Sequence, residues 1–106
     1  MDKVYIVRVD NQETYDIYME AEIRAYLSKE EATKFIEDCK AEFASDDDRW
    51  YKAYMLGMNN QDDAYISKCA EDEMFELETK WIKLTNRVIT VGHDNPRWSI
   101  KELDLY

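Results

Sequence analysis

Glycine and proline are scarce in this sequence, which has two glycines and one proline among 106 residues. Gly57 and Gly92 lie too far apart to form a phosphate-binding glycine loop, so nucleotide-binding classes that depend on such a loop are excluded. Because few residues break regular structure, the composition also predicts long elements joined by few tight turns.

Metal-binding and redox-active residues are equally few. Cys39 and Cys69 form no C-x-x-C pair, and this pattern predicts two reduced, buried thiols rather than a secreted disulfide scaffold. His93 is the single histidine, which leaves too few nitrogen and sulfur ligands for zinc in one chain. The acidic runs at 46–48 and 59–63 lack the spacing of a calcium loop. We therefore predict no metal, no cofactor and no catalytic residue.

Long hydrophobic runs are also missing. No stretch approaches the ~20 apolar residues of a membrane span, and the first ten residues, interrupted by Arg8, do not fit a signal peptide. The length corresponds to one domain over 1–106, with room for a single core. These features predict a cytoplasmic protein without a membrane partner.

Four segments have the composition of strands. Residues 3–9 (KVYIVRV) are apolar on both faces and predict a central strand. Residues 17–27 alternate apolar and polar side chains, which predicts a strand with one buried face, and 10–16 (DNQETYD) is expected to close the hairpin between the two. Two closing strands are predicted at 87–92 (RVITVG) and 97–106 (RWSIKELDLY).

Helical patterns occupy the middle of the chain. Ser28 and Glu31 form a capping box that begins a helix over 28–43. The run SDDD at 45–48 predicts a break and the N-terminus of a second helix over 49–58, where the acids favour the helix dipole.

A third helix is predicted after Asp62 or Asp63. Its apolar positions are spaced 4, 4, 3, 4 and 3 residues apart, which fits one helical face; they are Ile66, Ala70, Met74, Leu77, Trp81 and Leu84. A strand from Phe75 to Trp81 fits locally but requires a register change at Ile82, so helix is preferred. The predicted fold is α+β, in the order β-β-α-α-α-β-β. It has a mostly antiparallel sheet of about four strands and two to three helices on one face.

Charge is distributed unevenly along the chain. The net charge is −10, but residues 10–78 hold 20 acids and 7 bases, a net of −13, while the remainder carries +3. Such a field repels nucleic acid and anionic membranes and favours a basic partner. We therefore predict binding to a basic protein surface and no direct contact with nucleic acid.

Aromatic residues are interleaved with these acids. Trp50, Tyr54 and Met58 share one side of the predicted second helix, where they either pack on the sheet or stay exposed as anchors. An acidic border around exposed anchors would steer a basic partner. The candidate partner-binding residues are Asp46, Asp47, Asp48, Trp50, Tyr51, Tyr54, Asp62, Asp63, Glu71, Asp72 and Glu73.

Three segments, KVYIV, AYLSKEEATKFIE and WSIKELDLY, resemble small uncharacterised domains of phages and other bacterial mobile elements. The resemblance covers about half the chain and implies a hairpin, a helix and a final strand, but no catalytic residues. It implies a bacterial or phage-infected cell as the setting.

The leading hypothesis is a non-enzymatic, acidic protein-binding module. In its most concrete form the protein is a phage-type inhibitor that imitates nucleic acid and blocks a bacterial nucleic-acid-directed defence protein. Carboxylates can occupy a surface of Lys and Arg that otherwise binds phosphates. One alternative is a small metal-dependent or carboxylate-based enzyme that uses clustered acids and His93. Another is a structural or regulatory subunit with no link to nucleic acid.

Overall fold

A computed structural model describes residues 2–13 and 17–105. The elements are β1 (Lys3–Asp10), β2 (Glu20–Tyr26), α1 (Lys29–Asn59), α2 (Ala64–Leu84) and β3 (Arg97–Asp104). The described strands form an antiparallel sheet in the order β2-β1-β3. The predicted α+β class is confirmed, whereas the described part of the chain holds three strands and two helices in the order β-β-α-α-β.

The central position of β1 follows from its sequence. It is apolar on both faces and pairs with β2 on one side and β3 on the other, for example Val7 with both Arg24 and Ile100. The register between β1 and β2 shifts after Val7. Asn11 closes the start of the β1–β2 connection by donating its side-chain amide to the Ile17 carbonyl, 2.9 Å away. Residues 14–16 of the predicted hairpin turn lie outside the described residues.

The helix α1 continues through the predicted break at 45–48, so the prediction of two separate helices is wrong. Its N-terminus is as predicted, because the Ser28 hydroxyl oxygen accepts a bond from the Glu31 amide. The aspartates that follow Ser45 do not cap a new helix: their backbone stays helical, and their carboxylates bond to the Trp81 and Lys52 side chains and to the Gly92 backbone amide. With no proline or glycine before Gly57, nothing in α1 interrupts the backbone bonds until its last turn.

The helix α2 begins at the predicted cap. An Asp63 carboxylate oxygen accepts the amides of Tyr65 and Ile66, each at 3.1 Å. Residues 75–84 are helical, so the alternative of a strand there is wrong. The periodic apolar positions Ala70, Leu77 and Trp81 are buried against α1 and the core.

The predicted strand at 87–92 is wrong. Asn86 and Arg87 adopt positive φ angles of 53° and 70°, which turns the chain sharply after α2. The Thr85 hydroxyl donates to the Trp81 carbonyl and accepts the Ile89 amide, so this segment is bonded to the helix end rather than to a strand. Its apolar residues are nevertheless buried: Val88, Ile89 and Val91.

The core lies between the sheet, the helices and the segment 88–91. It does not reach the far end of the α1–α2 pair, which we call the helical hairpin. Ala53 is the last buried residue of α1 and Ala70 the first of α2, and the structure describes every residue between them. The molecule is accordingly elongated, with extents of 63 × 29 × 16 Å. Within the described residues, no helix has both the length and the apolarity needed to cross a membrane.

Candidate functional site

Asp46 lies inside the molecule, only 4% exposed, and is therefore not a steering residue. One oxygen, Oδ2, accepts bonds from Trp81 Nε1 at 2.9 Å and from Lys80 Nζ at 2.7 Å. Burial lowers the pKa of Lys80, but its hydrogen bonds to Asp46 and Glu42 outweigh that effect and leave the pKa above its ordinary value. This carboxylate fastens α1 to α2, which corrects its assignment as a partner contact.

Trp50 is also internal, with 5% of its surface exposed. Its indole nitrogen donates to Glu78 Oε1 at 3.1 Å, and its ring contacts the His93 ring edge-on. The Gly92 backbone lies directly against the ring. Since Trp50 has internal partners around its ring, the prediction that it anchors a partner is corrected: it belongs to the core.

The tyrosines predicted beside Trp50 are exposed. Tyr54 stacks on Trp50, with ring centroids 5.5 Å apart and planes within 7° of parallel. Tyr51 meets Trp50 edge-on, and its hydroxyl donates to the Gly92 carbonyl at 3.3 Å. About half of Tyr51 and 40% of Tyr54 remain open to solvent. These two side chains therefore present the outer part of an aromatic cluster whose centre is Trp50.

The next two acids of the run differ in exposure. Asp47 is partly buried, and its Oδ1 accepts the Gly92 amide at 2.7 Å, so it fixes the turn that lies over Trp50. Asp48 is exposed and forms an ion pair with Lys52, one turn on, at 3.0 Å. Of the predicted run of three, only Asp48 faces solvent freely.

The remaining predicted acids lie along α2 and the connection that precedes it. Asp62 is exposed, and Asp63 is exposed while capping α2. Asp72 pairs with Lys68 at 3.0 Å, and Glu73 pairs with Arg49 of α1. Glu71 is exposed, and no ion pair involves it within the described residues.

Charge is segregated by layer. Residues 29–84, the helical hairpin with its connection, carry 15 acids and 8 bases, a net of −7. The three strands carry five acids and five bases, a net of zero. Some of these opposite charges form ion pairs between strands, including Arg8 with Glu20 and Lys101 with Glu22. The negative field therefore originates mainly from the helical layer.

Exposed apolar side chains on the helical hairpin extend beyond the predicted anchors Tyr51 and Tyr54. The large ones are Tyr51, Tyr54, Met55, Leu56, Met58, Tyr65 and Phe75. Their positions are periodic enough to suggest a buried face, but only two helices meet there. Gly57 faces Ala70 across the helix pair, and these small residues cover little of their neighbours. The sequence indicated this surface through the methionines and the tyrosine that follow Ala53, the last buried residue of α1.

His93, the centre of the alternative enzyme hypothesis, lies beside Glu78 and Trp50. His93 Nε2 lies 3.4 Å from Glu78 Oε1, the same oxygen that accepts Trp50. A polar recess beside His93 is lined by α1 and by the segments that follow β1 and precede β3; its lining includes Asn11, Glu13 and Asp94. Among the described residues, no group of three or more His, Cys, Asp or Glu side chains could hold a metal ion. The enzyme hypothesis stays a prediction.

The two cysteines differ in environment. Cys39 is buried in the core, and burial raises the pKa of its thiol to about 11. Cys69 is exposed and lines an apolar groove between the helices together with Leu56 and Arg49. Both thiols are free, but the prediction that both are buried is wrong for Cys69 because α2 turns it to solvent.

Comparison with models of protein families, with curated proteins and with solved structures finds no match to this chain.

Proposed function

We propose that this protein is a non-enzymatic binding module whose acidic helical hairpin docks onto a basic surface of another protein. Segregation of charge supports the proposal: the helical hairpin carries −7, whereas the strands are neutral. Repulsion among like charges destabilises a compact fold, and here the excess charge is concentrated in one layer. A field concentrated in this way attracts a cationic partner to one side of the molecule and orients its approach.

The most concrete form of the proposal is a phage-type inhibitor that occupies the nucleic-acid-binding site of a bacterial defence protein, in the cytoplasm of the infected cell. Carboxylates on a rigid helix can satisfy the Lys and Arg side chains that otherwise hold phosphates. Among the predicted residues, the exposed carboxylates that can act in this way are Asp48, Asp62, Asp63, Glu71 and Asp72.

The charge per unit length of the hairpin limits how strongly electrostatic attraction alone can hold a partner. The helix α1 has 31 residues, which corresponds to a length of about 46 Å. The hairpin therefore presents about one net charge per 7 Å, against one per about 1.7 Å in duplex DNA. Electrostatic attraction of that size steers the partner, but contacts of another kind must hold it.

Charge neutralisation on the hairpin tests the proposal. Glu71 and Glu76 are exposed on α2, and neither forms an ion pair in the described part of the chain, so Glu71→Gln with Glu76→Gln removes charge without breaking a contact. The matched control, Asp2→Asn with Asp104→Asn, removes the same charge from the exposed end of the β1–β3 pair, away from the hairpin. Partners are captured from a bacterial lysate at low salt, identified by mass spectrometry and purified for titration.

We expect the hairpin variant to weaken binding about three- to tenfold at low salt, with the difference vanishing as salt is raised. The control should bind as the unmodified protein does. For the inhibitor form, the protein should displace a labelled duplex from the purified partner. Equal losses in both variants, or binding indifferent to salt, would contradict docking through the hairpin.

A further inference from the structure

The groove between α1 and α2 is covered along only part of its length. Near the core, the segment 88–93 lies over it: Ile89 and Val91 are buried, Gly92 contacts Trp50, and His93 reaches Trp50 and Glu78. Farther along the hairpin, no described segment continues this cover, because the chain turns back at 94–96 to enter β3. The uncovered part of the groove therefore resembles a three-helix bundle from which one helix is missing.

Apolar side chains continue along the uncovered stretch. Tyr54 and Met58 follow Trp50 at intervals of one turn, and Met74 precedes Glu78 by one turn on α2, so all three lie on the side that the segment 88–93 covers nearer the core. Met55 and Phe75 are more exposed, at 53% and 70%, but helix geometry turns them away from this groove. We call Tyr54, Met58 and Met74 the distal face.

The chemistry of the distal face indicates what would cover it. Methionine adapts to partners of different shape, and tyrosine supplies a rigid apolar ring with a polar end. Glu71 and Glu78 lie beside Met74 on α2 and give this face an acidic border. A second copy would bring one −7 hairpin against another, and an anionic membrane would repel it as well. The complementary surface is therefore apolar with a cationic border.

We propose that the distal face binds a basic amphipathic helix of the partner protein, which lies in the uncovered groove as the third helix of the bundle. Helix-in-groove recognition places apolar residues of the ligand at i, i+3, i+4 and i+7, where Tyr54, Met58 and Met74 would contact them. The lysines or arginines of the same helix meet Glu71 and Glu78. This inference rests on the proposed function and names the contacts that hold the partner after charge has steered it.

Two synthetic peptides of equal charge serve as probes. One repeats Lys and Leu so that a helix has one leucine face, and the other replaces every Leu with Ser. Titration calorimetry measures both against the full chain, the distal-face variants Tyr54→Gln with Met58→Gln and Met74→Gln, and the control Leu27→Gln. Leu27 is 74% exposed and lies beyond the end of β2, so its replacement removes a comparable apolar surface elsewhere.

We expect the Lys/Leu peptide to bind at least tenfold more tightly than the Lys/Ser peptide. Both distal-face variants should reduce that preference to less than threefold, and Leu27→Gln should leave it unchanged. Circular dichroism checks that each variant is folded. Photo-crosslinking from a residue of the Lys/Leu peptide should label the part of α1 that follows Trp50 or the part of α2 that precedes Glu78.

Three results would overturn the inference while leaving charge-driven docking intact: equal affinity for both peptides, loss of preference in Leu27→Gln, or a dimer in sedimentation that the distal-face variants dissociate. If neither peptide bound at low salt, the proposed function would fail together with this inference.

Discussion

Asp46 shows how a residue in a highly charged run can be a core residue. Its neighbours Asp47 and Asp48 have the same chemistry, yet the helix turns Asp46 toward α2, where Trp81 and Lys80 supply donors. A carboxylate that accepts several bonds can be buried at moderate cost, whereas its removal leaves those donors without a partner. Asp46 lies between Phe43 and Trp50 at the spacing of the buried stripe of α1, but the predicted break at 45–48 hid this signal.

Replacing each of two aspartates by alanine separates their roles. Asp46→Ala leaves the buried Trp81 Nε1 without an acceptor, and we expect a loss of about 2–4 kcal/mol in the free energy of unfolding. Asp48→Ala removes one exposed ion pair and should change that free energy by less than about 0.5 kcal/mol. Urea denaturation measures both. Equal losses would mean that Asp46 does not fasten the helices.

The thiol of Cys39 predicts a dependence of stability on pH. Burial raises its pKa to about 11 from the ordinary value of 9.0, so the unfolded chain ionises first as pH rises. The stabilisation is complete below pH 9 and is lost as pH rises toward 11. The stability advantage of the unmodified protein over Cys39→Ala should therefore shrink across this interval. An advantage that stays constant in urea titrations from pH 8 to 11 would contradict the burial of this thiol.

Among the elements, α1 accounts for the main difference between sequence and structure. The cap at Ser28, the start of α2 at Asp63 and the strands near 3–10, 20–26 and 97–104 follow from local patterns, because each signal acts over a few residues. Continuity through 45–48 depends on partners in α2 and in the segment 88–93, which are distant in sequence. The same reason explains why 87–92 is not a strand: its side chains fill the core, but its backbone bonds to the end of α2.

Gly92 and Gly57 provide a matched test of the element contacts. At Gly92, where φ is 79°, an added methyl group would overlap the Trp50 ring, so Gly92→Ala should cost about 2–4 kcal/mol. At Gly57 the added carbon would lie 3.3 Å from the Ala70 methyl, and the gain in helix propensity of about 1 kcal/mol offsets the crowding. Gly57→Ala should thus be nearly neutral in thermal unfolding. A harmless Gly92→Ala would show that the segment 88–93 does not pack on the helix as described.

At the scale of the whole molecule, the acidic excess predicted from the sequence is concentrated in the helical layer, but it is less exposed than the sequence suggested. Asp46, Asp47 and Glu73 are tied to other parts of the chain. The sequence left open whether Tyr54 and Met58 are exposed, and it did not predict Tyr65 and Phe75 as surface, because helical periodicity cannot reveal how many layers will meet. The small number of core residues after Trp50 on α1 was the available sign that this end of the hairpin is exposed.

Self-repulsion predicts how stability responds to salt. With a net charge of −10, the folded chain should gain about 1 kcal/mol in the free energy of unfolding as sodium chloride rises from about 0.02 to 0.5 M. The gain should be smaller in the Glu71→Gln, Glu76→Gln variant, which carries two fewer acids. A fall in stability would mean that the ion pairs outweigh the repulsion.

The pairing of β1 with β3 constrains how the protein can fold during its synthesis. The central strand, at 3–10, is synthesised before both of its neighbours, and the second neighbour comprises residues 97–104. The helical hairpin is complete by residue 84 and consists of local contacts, which form fastest. The nascent chain must therefore hold a half-paired sheet against finished helices until residues 97–104 have been added, and that interval is when aggregation or a chaperone would compete for it.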